Sequence, residues 1–464
     1  MTRHQGKVSE IARQVSEASR LKKQVRVFHG FSHTTREVTF AGVQRIDMSS
    51  LNEVLEVNKD KKYAVVEPSV TMDKLVSETL KKGLIPLVVP EFPKISVGGA
   101  IQGGAGESSS FKYGGVHSIC DEYEVVLGNG EIVKASNFVN PELFWGMPCS
   151  YGSLGITTLA KLCLREAKPF VRLAYIPVWS FSELLQVIQA QVKSDIDFID
   201  AIVFSPQSAV VMIGNLVERA EGSSVTTFSK RSDEWFYLHV FKRIKMRDFS
   251  DDLILLTDYL FRYNRGAFWT GKLLFDKLKL PFTRFTRSLF NKYLDVRSIG
   301  DLLHAANNSQ SGICQDFCLP SSKVLEFLCY LDITLGAYPL WMVPLKPTSG
   351  GDKFSPVHLP AQSVINIGVY AKFGGGYNDF IDVNRNLERK LMQLGGRKVL
   401  YAHQYFSREE FWHVYDREWY QELREKYFAA DVFPDLYDST HVGKQYQSRS
   451  GRAFTHVLRK IVQV

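Results

Sequence analysis

Residues 96–110 read Ser-Val-Gly-Gly-Ala-Ile-Gln-Gly-Gly-Ala-Gly-Glu-Ser-Ser-Ser, and five glycines in so short a run constrain the chain more than any other feature. Glycine lets backbone N–H groups approach an anion, and the hydroxyls add donors, so a phosphate cradle is the functional reading and a tight buried turn the bland one. Two common cradles are excluded. No Gly-Lys-Ser/Thr follows, as a Walker loop requires, and the Gly-x-Gly-x-x-Gly spacing of a Rossmann turn is missing.

The flanks alternate short strands and helices. A β-branched run over 62–68 predicts a strand; Met72, Leu75, Val76 and Leu80 mark a helical face that Gly83 ends; 84–90 is apolar again. Runs over 122–127 and 131–135 around Gly128-Asn129-Gly130 predict a hairpin. Further strands are expected over 171–177, 209–213, 337–344 and 364–370, with helix over 180–192 and around Leu387, Leu391 and Leu394. Ser407 and Glu410 form a capping box that opens a helix near Arg408 after a strand over 400–405. Val8, Ile11, Ala12, Val15 and Ala18 keep helical spacing in the N-terminal segment. The expectation is an α+β protein: an N-terminal segment (1–23), a cofactor domain (24–168), a second α+β domain (169–385), and a C-terminal segment (386–464) closing over the site and ending in a loose basic tail.

With 464 residues, 45% of them hydrophobic, the chain can bury two or three cores. Its 57 basic and 49 acidic residues leave +8, and no zinc-finger, RRM or KH signature accompanies the excess, which argues against a nucleic-acid partner. Residues 262–293 hold most of that excess, eight Lys/Arg against Asp276 alone, interleaved with eight aromatics and divided by Pro281. Such a stretch reads either as a solvated helical face or as a surface for anionic lipid. Six cysteines make no disulfide framework; Cys314 and Cys318 could hold a metal but read better as buried thiols, so no metal site is assigned. Neither a spanning segment nor a secretory signal is present, and the expected location is intracellular, cytoplasmic or peripherally on an internal membrane.

The glycine run resembles the flavin-binding domain of the vanillyl-alcohol-oxidase type of FAD oxidoreductases, in which a Gly-Gly, Gly, Ser/Gly-rich turn ending in Tyr-Gly lies along FAD. Tyr113 and Gly114 supply that ending, residues 151–157 look like the family's second flavin strand, and residues 28–36 stand where its first pyrophosphate loop belongs. The resemblance implies a two-part FAD-binding domain. FAD contacts are implied at Gly30, Ser32, His33 and Thr34, at Pro90, Ser96, Gly98, Gly99, Gly103, Gly106, Ser108, Ser109, Tyr113 and Gly114, and at Gly152, Gly155 and Ile156. Many members bond a His of a Gly-Gly-Gly-His-Ser run covalently to the flavin. Here the run reads Gly30-Phe31-Ser32-His33-Thr34, which leaves a covalent link through His33, a non-covalent polar contact, or simple packing.

Within that superfamily, Val66-Glu67-Pro68, residues 106–114, Tyr338-Pro339-Leu340-Trp341, residues 407–412, Val432-Phe433-Pro434-Asp435 and Tyr437 resemble the sterol Δ24-reductase family. The likeness runs from about 65 to 438, without the hydrophobic N-terminal anchor of the animal enzymes. It implies FAD-dependent reduction of an isolated lipid C=C bond with NADPH as donor. The loop with Glu107 is also similar to that of bacterial flavoproteins that reduce methylene-branched acyl chains. An oxidase of an alcohol, sugar or secondary metabolite on the same flavin site, and a flavin-free lipid-binding protein, are the alternatives.

An isolated alkene has no carbonyl to polarise, so hydride attack needs a proton donor beside the flavin. Glu107 in the glycine loop is the first candidate, because desolvation there would raise its pKa; water-exposed capping is its bland reading. Tyr405 is a second donor, with core packing its alternative, and Asp316 would orient either donor or merely end a strand. Tyr338 and Trp341 would stabilise developing positive charge if they line the substrate pocket.

Overall fold

The structure, a computed structural model, describes residues 3–30, 32–37, 40–218, 224–307, 309–348 and 350–447; most of the expected basic tail lies outside them. The five apolar positions at helical spacing are the buried residues of the helix Arg3–Arg20. That helix packs against Ile46, Val126, Ile156, Val432 and Phe433, so the N-terminal segment is part of a core rather than a free extension. A two-stranded parallel sheet follows, Val25–Phe28 with Gln44–Asp47.

Next comes an antiparallel sheet in the order Val54–Asn58, Tyr63–Val66, Ile156–Glu166, Cys120–Val126 and Ile132–Ser136, with Leu84–Pro86 paired to the end of Ile156–Glu166. The expected hairpin is there, Val126 opposite Ile132. Gly130 takes a φ of +88°, and a Cβ on Gly128 would stand 1.7 Å from the carbonyl oxygen of Phe428. The second glycine therefore serves the turn and the first serves a close approach of the C-terminal segment.

A nine-stranded sheet forms the other half, with Phe170–Val178, Ser208–Val217, Phe198–Ser205, Leu340–Leu345, Val364–Lys372 and Gly312–Pro320 at its centre. Helices Phe181–Gln191, Val324–Thr334 and Tyr377–Gln393 cover one face. The basic aromatic block covers the other as two short helices, Thr270–Leu278 and Arg284–Leu289, on either side of Pro281.

Two expectations are corrected, and one alternative is removed. Residues 96–110 are not a loop: Val97–Gly103 is a helix capped by Ser96, and a second short helix spans Ser110–Tyr113. Residues 400–405 are not a strand. The strand there is only Arg397–Lys398; beyond it Gln404 makes an isolated bridge with His441, and side chains hold much of the rest: Arg36 donates to the carbonyls of Leu400 and Ala402, and the Tyr405 N–H donates to Glu388 at 3.0 Å. Cys314 and Cys318 share the strand Gly312–Pro320, where four residues span roughly 13 Å, too far for one metal ion. The helix opened by the Ser407 and Glu410 capping box spans Arg408–Val414. Phe411 on that helix, and Tyr415, Tyr420, Leu423 and Tyr427 beyond it, enter the same core as Ala64, Tyr123 and Leu162.

Candidate active site

The Ser96 hydroxyl accepts from the Gly99 N–H at 3.1 Å and starts the glycine helix; Gly104, at φ +66°, ends it. The glycines divide by what a side chain would meet. A Cβ on Gly98 would lie 2.8 Å from Pro68 Cβ, and one on Gly155 2.6 Å from Val125 Cγ1, so those positions serve packing. At Gly30, Gly103 and Gly152 a Cβ meets nothing within 4 Å, because these three open onto a cavity. Gln102 joins two of the turns, its Oε1 accepting from the Gly152 N–H at 3.0 Å and from the Ser150 hydroxyl at 2.9 Å.

The cavity measures about 1530 Å³, more than the roughly 300–1,000 Å³ of a single-ligand pocket. Its wall includes Gly30, Ser32, His33 and Thr34, then Ser96, Gly98, Gly99, Gly103 and Gly106, then Gly152, Gly155 and Ile156. Twelve of the expected cofactor positions thus converge although they come from three separate stretches. Bare glycine backbone facing a large space is what a dinucleotide cradle requires, and these residues fit FAD. The remaining five expected positions stand behind the wall. Pro90 is buried; the Ser108 hydroxyl donates to Glu107; the Ser109 hydroxyl donates to the Leu87 carbonyl at 2.9 Å; Tyr113 packs on the first core; a Cβ on Gly114 would meet Ser118 Oγ at 2.6 Å.

His33 lies parallel to Phe92 at 6.4 Å, and burial holds its imidazole neutral, its pKa lowered to about 3. The loop carrying it is tied down by Thr34, whose hydroxyl donates to the Tyr401 carbonyl at 2.7 Å, and by Arg36, which lies 5.5 Å from the Tyr151 ring centre. The same cavity is lined by an aromatic chamber: Phe268 contacts Phe92 at 5.6 Å and both Trp341 and Tyr370 at 5.1 Å. Trp341 therefore stands where expected. Tyr338 does not; its hydroxyl donates to Asp332 at 2.8 Å, away from the cavity.

The three candidate catalytic residues fall in different places. Glu107 is 1% exposed and behind the cavity wall. Its Oε1 accepts from Arg262 at 2.7 Å, and the same guanidinium nitrogen donates to Asp200 at 3.0 Å. Tyr263 and Trp341 also donate to Asp200, at 2.6 and 3.1 Å. Two carboxyls share one cation, so the Glu107 pKa is raised, by burial first and by Asp200 as well, against the pull of Arg262. Tyr405 is packed against Phe380 and His403, off the cavity. Asp316 does line the cavity, in mid-strand, and accepts from Tyr401 at 2.6 Å, Asn366 at 2.7 Å and Tyr370 at 3.1 Å. Burial raises its pKa while those donors oppose the rise.

Glu91, Arg36, Arg262 and Tyr401 also belong to the site or its supports, and no motif in the sequence marks them. Glu91 carried a faint signal, an acid between Pro90 and Phe92-Pro93 just ahead of the glycine run; it lines the cavity. Arg262 was hidden among surface cations by its place at the head of the basic block. Part of that block lines the cavity and part lies beside it on the surface. Leu274, Lys277, Leu278 and Leu280 line it, and Leu278, Phe285 and Leu289 are exposed, Phe285 by 75%. Phe282 instead packs on Trp235 and Phe275. No helix among the described residues is long and apolar enough to cross a membrane.

Residues 5–136 match the family described as FAD binding domain. The chain is 30% identical to the Delta(24)-sterol reductase of Homo sapiens over 398 residues, 84% of this chain and 76% of the relative. It is 29% identical to the Delta(24)-sterol reductase of Arabidopsis thaliana over 90% of this chain and 79% of that one. Likeness to Cytokinin dehydrogenase 2 of Arabidopsis thaliana, at 32%, covers only 28% of this chain. A match that runs through both halves of the molecule, with glycine backbone and aromatic chamber facing one cavity, places the chain in the Delta(24)-sterol reductase family of FAD-dependent oxidoreductases.

Proposed function

We propose that this protein reduces an isolated C=C bond in the side chain of a sterol, with FAD along the glycine wall and NADPH as the electron donor. The observation that carries the proposal is the cavity, one continuous space lined both by glycine backbone and by Phe268, Trp341, Tyr370, Val343 and Leu345. Bound and reduced, FAD supplies a hydride to one alkene carbon. The chain's own residues do the rest. The apolar chamber excludes water from the reacting carbons, and its aromatic rings stabilise the positive charge that grows on the alkene as it accepts a proton. The superfamily's two-part cofactor domain corresponds here to the small parallel sheet and the antiparallel sheet, with the glycine helix inserted among the strands of the second. His33 makes a non-covalent contact with the flavin.

The substrate is poorly soluble, and the rim of the cavity offers a way to collect it. Leu278, Leu280, Phe285 and Leu289 are exposed beside Lys277, Lys279 and Arg284, so this face rests peripherally on an anionic lipid surface.

Anaerobic mixing of the yellow protein with NADPH should bleach the flavin, and a Δ24 sterol should restore the colour and leave with a saturated side chain in the mass spectrum. Bleaching by an alcohol or sugar but not by NADPH would establish the oxidase direction instead. Turnover of a methylene-branched acyl lipid but not of the sterol would move the substrate. Acid precipitation should leave the flavin in the supernatant.

A further inference from the structure

Glu107, Asp316 and Glu91 are three of the carboxyls at or behind the cavity wall, and other side chains hold the first two. Glu107 is held by Arg262 behind the wall, and Asp316 accepts from three side chains. Glu91 differs from both. It lines the cavity at nine-tenths burial, and among the described residues no other side chain bonds its carboxyl. The turn that follows it is fixed: the Ile95 N–H donates to the Phe92 carbonyl at 3.2 Å, and the Asp73 N–H to the Pro93 carbonyl at 3.0 Å. Its neighbour Phe92 touches His33 on the cofactor side and Phe268 on the aromatic side, which sets Glu91 at the seam between the two.

We propose that Glu91 is the catalytic acid that delivers the proton to the alkene. The inference rests on the reductase reading above. The Glu91 O–H bond breaks as a C–H bond forms at the less substituted alkene carbon. Positive charge grows on the more substituted carbon, which receives the hydride and its electron pair from the reduced flavin. The alkene is reduced by two electrons, the flavin is oxidised by two, and the Glu91 carboxylate takes a proton from water before the next turnover. The protonation state agrees with this role: burial, reinforced by the charges of Glu107 and Asp316, pushes its pKa up to about 8, so the group is an acid at neutral pH.

The test compares wild type with Glu91→Gln by three measurements. In infrared titration of the flavin-loaded and flavin-free protein, a carboxylic-acid carbonyl band should lose intensity with a midpoint near 8 and be missing from the variant. FAD affinity, read by fluorescence, should change less than about threefold, while reoxidation of the reduced flavin by alkene slows by about 10²–10⁴-fold. In the wild type that reoxidation should fall as pH rises through the titration midpoint, and the variant should lack this limb. A missing band, a band that survives in the variant, unchanged reoxidation, or loss of FAD affinity would each overturn the proposal. A wild type that reduces no alkene overturns the reductase reading and the proposal with it; a wild type that does, matched by its variant, overturns Glu91 alone.

Discussion

Replacing Arg262 with Met leaves the Glu107 and Asp200 carboxyls buried without their cation. The Arg262 side chain is fully buried, and its nitrogens donate to both carboxyls and to the Tyr259 carbonyl at 2.7–3.0 Å. Breaking one side of a buried pair costs about 3–5 kcal/mol, because the orphaned charge cannot recover its hydration. With an unfolding entropy of roughly 2.1 cal/mol/K per residue over 464 residues, that is a fall of about 3–5 °C in melting temperature. The deficit must depend on pH in a definite direction. Losing the cation raises the folded-state carboxyl pKa further above its unfolded value near 4, so the penalty is absent below that value and grows as pH rises through the raised one. Thermal unfolding followed by tryptophan fluorescence should show a larger loss at pH 8 than at pH 5.5. Adding Glu107→Gln and Asp200→Asn to the Met variant should recover most of it. A deficit equal at both pH values, or untouched by the two amides, would refute the two-acid, one-cation account of the cluster.

Gly103→Val should weaken FAD binding at least tenfold, read as flavin content after gel filtration, while leaving the melting temperature within about 2 °C, since its side chain enters only the cavity. Gly98→Val should do the reverse first, losing stability because its Cβ would drive into Pro68. On anionic vesicles, Lys277→Glu with Lys279→Glu should cut low-salt sedimentation at least tenfold, each cation being worth about 1 kcal/mol at such a surface. Phe285→Ser should also reduce sedimentation, and Phe282→Ser should instead destabilise the fold; pelleting unchanged in both the Lys pair and Phe285→Ser would mean the rim is only structural.

What could be read from the chain alone was what depends on local spacing. The five apolar residues of the first helix, the Gly128–Gly130 turn and the Ser407 capping box are set by neighbours within a few residues, and each was legible. The glycine run stood out because glycine density survives any fold, but its helical form was not legible, since Ser96 capping depends on the exact backbone path. Glu107 shows the limit. The sequence left burial and a water-exposed cap both open for it, because the guanidinium that meets it lies 155 residues further on, in a block whose composition reads as surface. Glu91 was overlooked for the opposite reason: it has no partner motif, and only the cavity marks it out.

The core around Tyr123 and Leu162 is completed by Phe411, Tyr420 and Leu423, and the helix Arg3–Arg20 lies against Val432 and Phe433. The earliest and latest stretches of the described chain are thus interleaved in one unit, with the nine-stranded sheet threaded between them. At roughly 5–20 residues per second, a ribosome would leave the first half waiting for roughly 10–50 s before its missing side arrives. During that interval an apolar face stays uncovered, so the flavin-binding half should need shielding by a chaperone, and a ribosome-stalled chain ending near residue 390 should be far more sensitive to protease in that half than the released protein. The whole-chain order of assembly, rather than the strength of any single contact, would then govern how much active enzyme a cell obtains.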